Sequence, residues 1–203
     1  MEFIETKEEL RALYGEPSDL AVRKQLAALD AHSIAFLARS PFVLIGSQDG
    51  VGGDVTPKGD GPGFAAVLDD RTIAIPDRPG NRRIDTWLNV IENPSVGLLF
   101  MIPGMNETLR INGRARLTTD EALCQRLAMN GRPAVAALVV EVREVYMHCA
   151  KAFIRSGLWK PETWPDRSEM PTLGEIVRDQ LAIAESASAI DDRIEESYVK
   201  SLW

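Results

Sequence analysis

VGLLFMIPGMNETLRINGRARL, residues 96–117, is the stretch whose reading decides the fold. Its first half, Val96 to Ile102, is an apolar run of strand length, and Pro103-Gly104-Met105-Asn106 is a turn that sends the chain back. In the second half Leu109, Ile111, Ala115 and Leu117 alternate with Arg110, Asn112, Arg114 and Arg116. That spacing predicts a strand with one apolar and one cationic face. Two strands joined so closely are antiparallel, because a parallel pair needs a long crossover. The cationic face has two readings: the wall of a ligand cleft, or a solvated outer surface.

The same pattern runs outward from this hairpin. Phe42 to Ile45, the turn around Asp49-Gly50 with Gly52 and Gly53, and Asp54 to Pro57 predict a second hairpin. Phe64 to Leu68, the turn Asp69-Asp70 and Thr72 to Ile75 predict a third, and Ala134 to Tyr146 the last long strand. The connections are mostly too short for crossovers, so the expected sheet is antiparallel, and closing it into a barrel removes its exposed edges.

Helices flank the strands. Thr6 with Glu9 forms a capping box, and Ser18 and Asp19 cap a helix with Val22, Leu26 and Leu29 on one face. Ile34 to Ala38 is a short helix stopped at Ser40-Pro41. Thr119 caps a helix to Met129, closed by Asn130-Gly131, and Lys151 to Leu158 forms another. Thr172 and Glu175 repeat the capping box before a helix with Ile176, Val177 and Ala184 on a common face. The expected fold is mainly β with peripheral helices. It is one domain over 1–203: N-terminal helices in 1–39, a barrel core in 40–150 and a C-terminal helical segment in 151–203.

Between the strand at Thr72 and Pro94 lies the first chemical signal. Ile84, Trp87, Leu88 and Ile91 have helical spacing, Asn81 is the expected N-cap, and Arg82 and Arg83 then fall in the first turn. The macrodipole and the free N–H groups make that end positive already, so two cations there suit a bound anion, most often a phosphate. The competing reading is a pair of solvated arginines bridged to Asp77 or Asp85.

Composition narrows the partners. The chain has 203 residues, 45% hydrophobic and 26% charged, with formal net charge −7 and pI near 5.0. That balance argues against nucleic acid or an anionic membrane as partner. Pro133 to Val140 is too short an apolar run to span a bilayer. With two cysteines and no n-region and h-region pattern at the start, a cytoplasmic protein is expected. His32, Cys124, His148 and Cys149 match no zinc spacing, so no metal is expected, and each thiol reads as buried and inert. Phosphate-loop, dinucleotide and nucleophile-elbow motifs are absent. Trp87 reads as core, whereas Trp159, near Arg155 and among prolines, suits packing on a planar ligand. Lys58, Arg82, Arg83, Arg110 and Arg155 are the cations expected to serve a phosphorylated ligand.

The motifs Val55-Thr56-Pro57-Lys58-Gly59-Asp60, Pro62-Gly63-Phe64, Ile75-Pro76-Asp77-Arg78-Pro79-Gly80-Asn81-Arg82-Arg83, Asn93-Pro94, Pro103-Gly104, Glu107 to Ala115, and Arg155-Ser156-Gly157-Leu158-Trp159 carry a resemblance. Together, over Ile34 to Pro165, the chain resembles the FMN-binding split barrels related to pyridoxamine 5′-phosphate oxidase. The resemblance implies a six-stranded antiparallel split β-barrel and a homodimer with FMN at its interface. It implies Arg82 and Arg83 as phosphate ligands, Pro76 and Asp77 beside the ribityl chain, and Thr56 and Lys58 near the phosphate or the ring's polar edge. Arg110 matches an arginine bordering the flavin, Thr108 stands where the family has a glutamine, and Arg155 and Trp159 match residues reaching in from the other subunit. The arginine and histidine pair that grips the vitamin phosphate in the true oxidase is not found, so oxidation of pyridoxamine phosphate is not expected.

The implied function is an FMN-dependent oxidoreductase that passes a hydride to or from a small molecule, with NAD(P)H a candidate donor and no side chain required as general acid. Two alternatives stand beside it: a flavin- or haem-binding module without turnover, and a reductase using the deazaflavin F420.

Overall fold

In the computed structural model, which describes residues 1–201, seven strands form one sheet. They are β1 (Phe42–Gln48), β2 (Gly53–Gly59), β3 (Ala66–Asp69), β4 (Thr72–Pro76), β5 (Ser95–Met101), β6 (Thr108–Thr118) and β7 (Ala137–His148). Every pairing is antiparallel, in the order β2-β1-β5-β6-β7-β4-β3. The expectation of a closed six-stranded barrel is corrected. The four-residue β3 adds a seventh strand by pairing with β4, and the two edge strands, β2 and β3, are not hydrogen-bonded to each other.

The alternation read from residues 108–117 sets the two faces. Leu109, Ile111 and Ala115 are at most 1% exposed, whereas Arg114 and Arg116 are exposed. Register carries this inner face across the sheet: Thr56 lies opposite Ile45, Ile45 opposite Leu98, and Leu98 opposite Ile111. A bulge between Asn112 and Gly113 lets the paired β7 skip Arg143. Gly113 is required there, because a Cβ would overlap the Glu141 carbonyl oxygen.

The inner face is covered by α3 (Ala31–Leu37) and α4 (Asp85–Glu92), whose Phe36, Leu37, Trp87 and Val90 join the main core. On the other side α5 (Glu121–Arg126) buries Cys124 with Leu127 against Ala74 and Ala137. The N-terminal part holds α1 (Lys7–Tyr14), with its Thr6–Glu9 capping box, and α2 (Asp19–Arg23), capped by Ser18. The helix expected to run on to Leu29 stops at Arg23. Leu26 instead pairs with Val145 on the half of β7 that β4 leaves open, a backbone partner stronger than a continued helical turn.

The C-terminal part holds α6 (Lys151–Ser156), α7 (Leu173–Leu181) with its Thr172–Glu175 capping box, and α8 (Ala187–Ser201). Ala184, expected on the face of α7, lies in the loop after it. Residues 202–203, the end of the expected C-terminal segment, lie outside the described residues. Two further expectations change. Asp120, not Thr119, caps α5, and Cys149 is exposed because β7 ends one residue before it. Among the described residues no helix is long and apolar enough to cross a membrane.

Candidate functional site

The end of β4 and the loop to α4 face the inner side of β2, and there the polar side chains gather. Thr56 and Lys58, two residues apart on β2, point the same way. Thr86 Oγ1 donates to Thr56 Oγ1 at 2.8 Å, and Thr56 Oγ1 donates to Asp54 Oδ2 at 3.0 Å. Lys58 Nζ lies 3.7 Å from Asp77 Oδ1 and 4.6 Å from the centroid of the Trp87 ring. Trp87 is core as expected, at 7% exposure, yet its face also holds the lysine ammonium by a cation–π contact.

Two adjoining cavities share Thr56, Lys58 and Asn81. One, of about 170 Å³, is closed by Arg83, Ile84, Asp85, Thr86 and Trp87. The other, of about 390 Å³, is walled by Gly59, Phe64, Pro76, Arg78 and Gly80 among others. Lysine, arginine, two hydroxyls and an asparagine amide make a donor set suited to a phosphate group, and Phe64 and Pro76 give the neighbouring cavity an apolar wall. On that donor set, the residues fit the phosphate end of FMN.

The loop differs from its sequence reading. Asn81 does not cap the helix. Its Oδ1 accepts from the Arg83 N–H at 3.0 Å, and the cap position falls on Ile84, in the left-handed region at φ 52° with no side-chain cap bond. Arg82 also has positive φ, 61°. Both arginines therefore precede the helix rather than sit in its first turn, since the Asn81 turn consumes the residues that would have opened it. Arg83 lines the smaller cavity while its Nε donates to Asp85 Oδ2 at 2.8 Å, and this carboxylate raises the guanidinium pKa above its usual value. Arg82 is exposed and lines neither cavity.

Sequence reasoning passed over Arg78 as a fixing residue. Its Nε donates to Asp60 Oδ2 at 2.6 Å and its Nη2 to the Leu127 carbonyl at 2.9 Å, with Asp60 fully buried. This pins the β2 exit, the β4 exit and α5 together beneath the cleft. The two residues stand 18 positions apart, and no local sequence pattern links them.

The remaining expected site residues lie elsewhere. Arg110 is on the outer face of β6, where its Nη1 donates to Tyr146 Oη at 3.1 Å, and Lys24 lies 5.5 Å from the same ring. Thr108 is on that face too, 2% exposed and opposite His148. Trp159 Nε1 donates to the Met105 carbonyl at 2.7 Å and its ring stacks on Phe153, while Arg155 is exposed on α6. Within one chain, Thr56, Lys58, Pro76, Asp77 and Arg83 come together, whereas Thr108 and Arg110 face the opposite side of the sheet. Another cavity, of about 760 Å³, is at neither place. It lies along the outer face of β6 between Arg114, Arg116, Glu141 and Thr72.

The family model described as pyridoxamine 5′-phosphate oxidase matches residues 29–149, the span that contains the whole sheet and the β4–α4 cleft. No curated protein matches the chain. Among solved structures, HupZ of Group A Streptococcus is similar at 15% identity over 59% of this chain and 93% of its own, with a TM-score of 0.49. A Clostridium acetobutylicum protein related to general stress protein 26, of the pyridoxinephosphate oxidase family, is similar at 14% identity over 58% of this chain and 85% of its own, with a TM-score of 0.44. With the family model covering more than half of its length, the chain belongs to the pyridoxamine 5′-phosphate oxidase family.

Proposed function

We propose that this chain is an FMN-dependent oxidoreductase acting as a homodimer on a small molecule, with NAD(P)H a candidate electron donor. The observation that carries the reading is the gathering of Lys58, Arg83, Thr56, Thr86 and Asn81 around one small polar cleft at the β4–α4 loop. Bound FMN supplies two-electron hydride chemistry, and the protein supplies placement and electrostatics.

Lys58 and Arg83 hold the phosphate charge, and Thr56 and Thr86 can donate to its oxygens once their hydroxyls rotate away from Asp54 and from each other. Asp77 and Asp85 keep the two cations oriented in its absence. Arg110, steadied by Tyr146, is the cation available to charge that develops on an electron-rich ring. Thr108 and Arg110 face away from Lys58 in one chain. A dimer packed through the outer sheet face is therefore the arrangement that lets both groups serve one flavin, and that face carries half-buried Phe42, Leu44, Leu99 and Met101. The oxidoreductase reading favours a split-barrel site closed by two copies, and residues 150–201 lie outside the family match.

The test is the visible spectrum of the purified protein and its titration with FMN. Lys58→Ala and Arg83→Ala are each expected to weaken FMN binding by about tenfold or more, the loss of one charge-assisted contact, and Arg82→Ala by much less. No flavin band and no binding on titration would overturn the proposal. A deazaflavin spectrum would move it to F420, and the absence of anaerobic reduction by NADH or NADPH would point to a binding module.

A further inference from the structure

The groove on the outer face of β6 and the C-terminal helices are both unused by the reading above, and they complement one another. The groove, about 760 Å³, runs along the outer face of β6, with Arg114 and Arg116 above an apolar floor that includes Leu123 and Val139. Among the described residues neither guanidinium is held by an ion pair or a side-chain hydrogen bond. The acids beside them are already engaged: Glu141 pairs with Arg143 at 3.0 Å, and Asp120 caps α5 by accepting from the Leu123 N–H at 2.8 Å. Two cations on one strand face, two residues and so about 7 Å apart, therefore face the groove without an ion pair of their own, beside carboxylates that are bonded elsewhere.

The C-terminal helices α7 and α8 form a hairpin whose main packing is of one helix on the other. The crossing is tight. Gly174 meets the Ala187 carbonyl so closely that a Cβ would not fit, and Asp191 Oδ1 accepts from the Gly174 N–H at 2.7 Å. Of the other acids on α8, Glu196 pairs with Lys200, whereas Asp192 and Glu195 are in no ion pair among the described residues. Asp192, Glu195 and Val199 follow at i, i+3 and i+7, one exposed face of the helix, and Val199 is 88% exposed. Two free carboxylates one helical turn apart, beside an uncovered apolar side chain, match two free guanidiniums above an apolar floor in charge and spacing.

We propose that the hairpin of one copy docks in the β6 groove of a second copy, with Asp192 and Glu195 against Arg114 and Arg116 and Val199 on the floor. This rests on the homodimer of the functional reading. The segment leading to the hairpin is held just before β6, where Trp159 donates to the Met105 carbonyl, and Thr108 at the start of that strand is about 26 Å from Arg116. A two-fold axis across the strands brings that end of one copy to the groove end of the other, so both hairpins dock at once.

The test measures the dimer dissociation constant of the full chain by sedimentation. Arg114→Glu with Arg116→Glu, and separately Asp192→Lys with Glu195→Lys, are each expected to weaken the dimer by at least about tenfold, and the four changes combined to return it to within about threefold of wild type. A monomeric wild type, unchanged dissociation constants, or losses that accumulate without recovery overturn the proposal. The visible spectrum separates the two readings. A protein that dimerises with recovery but takes no FMN overturns the functional reading alone, and one that takes FMN without recovery overturns this proposal alone.

Discussion

Ile84 carries the clearest local strain at the cleft. A β-branched residue at φ 52° costs about 1–2 kcal/mol relative to its ordinary conformations, and no side chain caps the helix it opens. The strain sets the direction in which the loop enters α4, and so where Arg83 and Asn81 meet the β2 side chains. Asparagine tolerates this backbone, so Ile84→Asn is expected to raise the unfolding free energy by roughly 1 kcal/mol in urea titrations. A fall in stability would show that the Ile84 side chain contributes more by contact than its backbone costs. None of this is legible from residue order, because periodicity alone places Ile84 inside the helix, while the Asn81 turn that ends just before it is a matter of backbone geometry.

At the scale of the element, capping was read from the sequence where a small polar residue stood before a periodic run. Thr6, Ser18 and Thr172 cap the helices expected of them. The cap of α3 is Asp30, whose Oδ1 accepts from the Ser33 N–H at 2.8 Å. The Ser33 hydroxyl, then its backbone N–H, holds the carboxyl below the usual carboxylate range. A depressed folded pKa means the ionised acid is favoured by folding. The stabilisation is thus present above the unfolded value, about 3.9, and is lost as pH falls from there through the lower folded value. Asp30→Ala is expected to cost about 1 kcal/mol at pH 7. Asp30→Asn keeps a cap and flattens the acid limb of the stability curve, so an unaltered limb in denaturant titrations across pH would refute the role.

At the scale of the whole molecule, the Asp60–Arg78 pair joins segments that the sequence keeps far apart. It is a buried pair with a second bond from Arg78 to the Leu127 carbonyl, and it locks the floor of the cleft to α5. Breaking it strands a mostly buried guanidinium. Asp60→Ala is expected to lower stability by about 3–5 kcal/mol, and Asp60→Leu with Arg78→Met by distinctly less, because no buried charge is then left unpaired. Chemical denaturation of the two variants decides it: equal losses would mean that the pair itself, not the orphaned charge, sets the cost.

Legible in the sequence alone are the antiparallel strands, the apolar and cationic faces of β6 and the caps at Thr6, Ser18 and Thr172. These depend on periods of two and 3.6 residues and on turn chemistry, which neighbouring residues encode. Folding in three dimensions settled instead that Leu26 leaves its helix to pair with β7 and that β2 and β3 stay unpaired with each other. It also settled that Arg110 and Lys58 face opposite sides of the sheet, and that Arg114 and Arg116 line a groove while α7 and α8 pack mainly on each other. Each of these is a choice among partners distant in the chain, settled by which backbone groups and buried charges find one another in space.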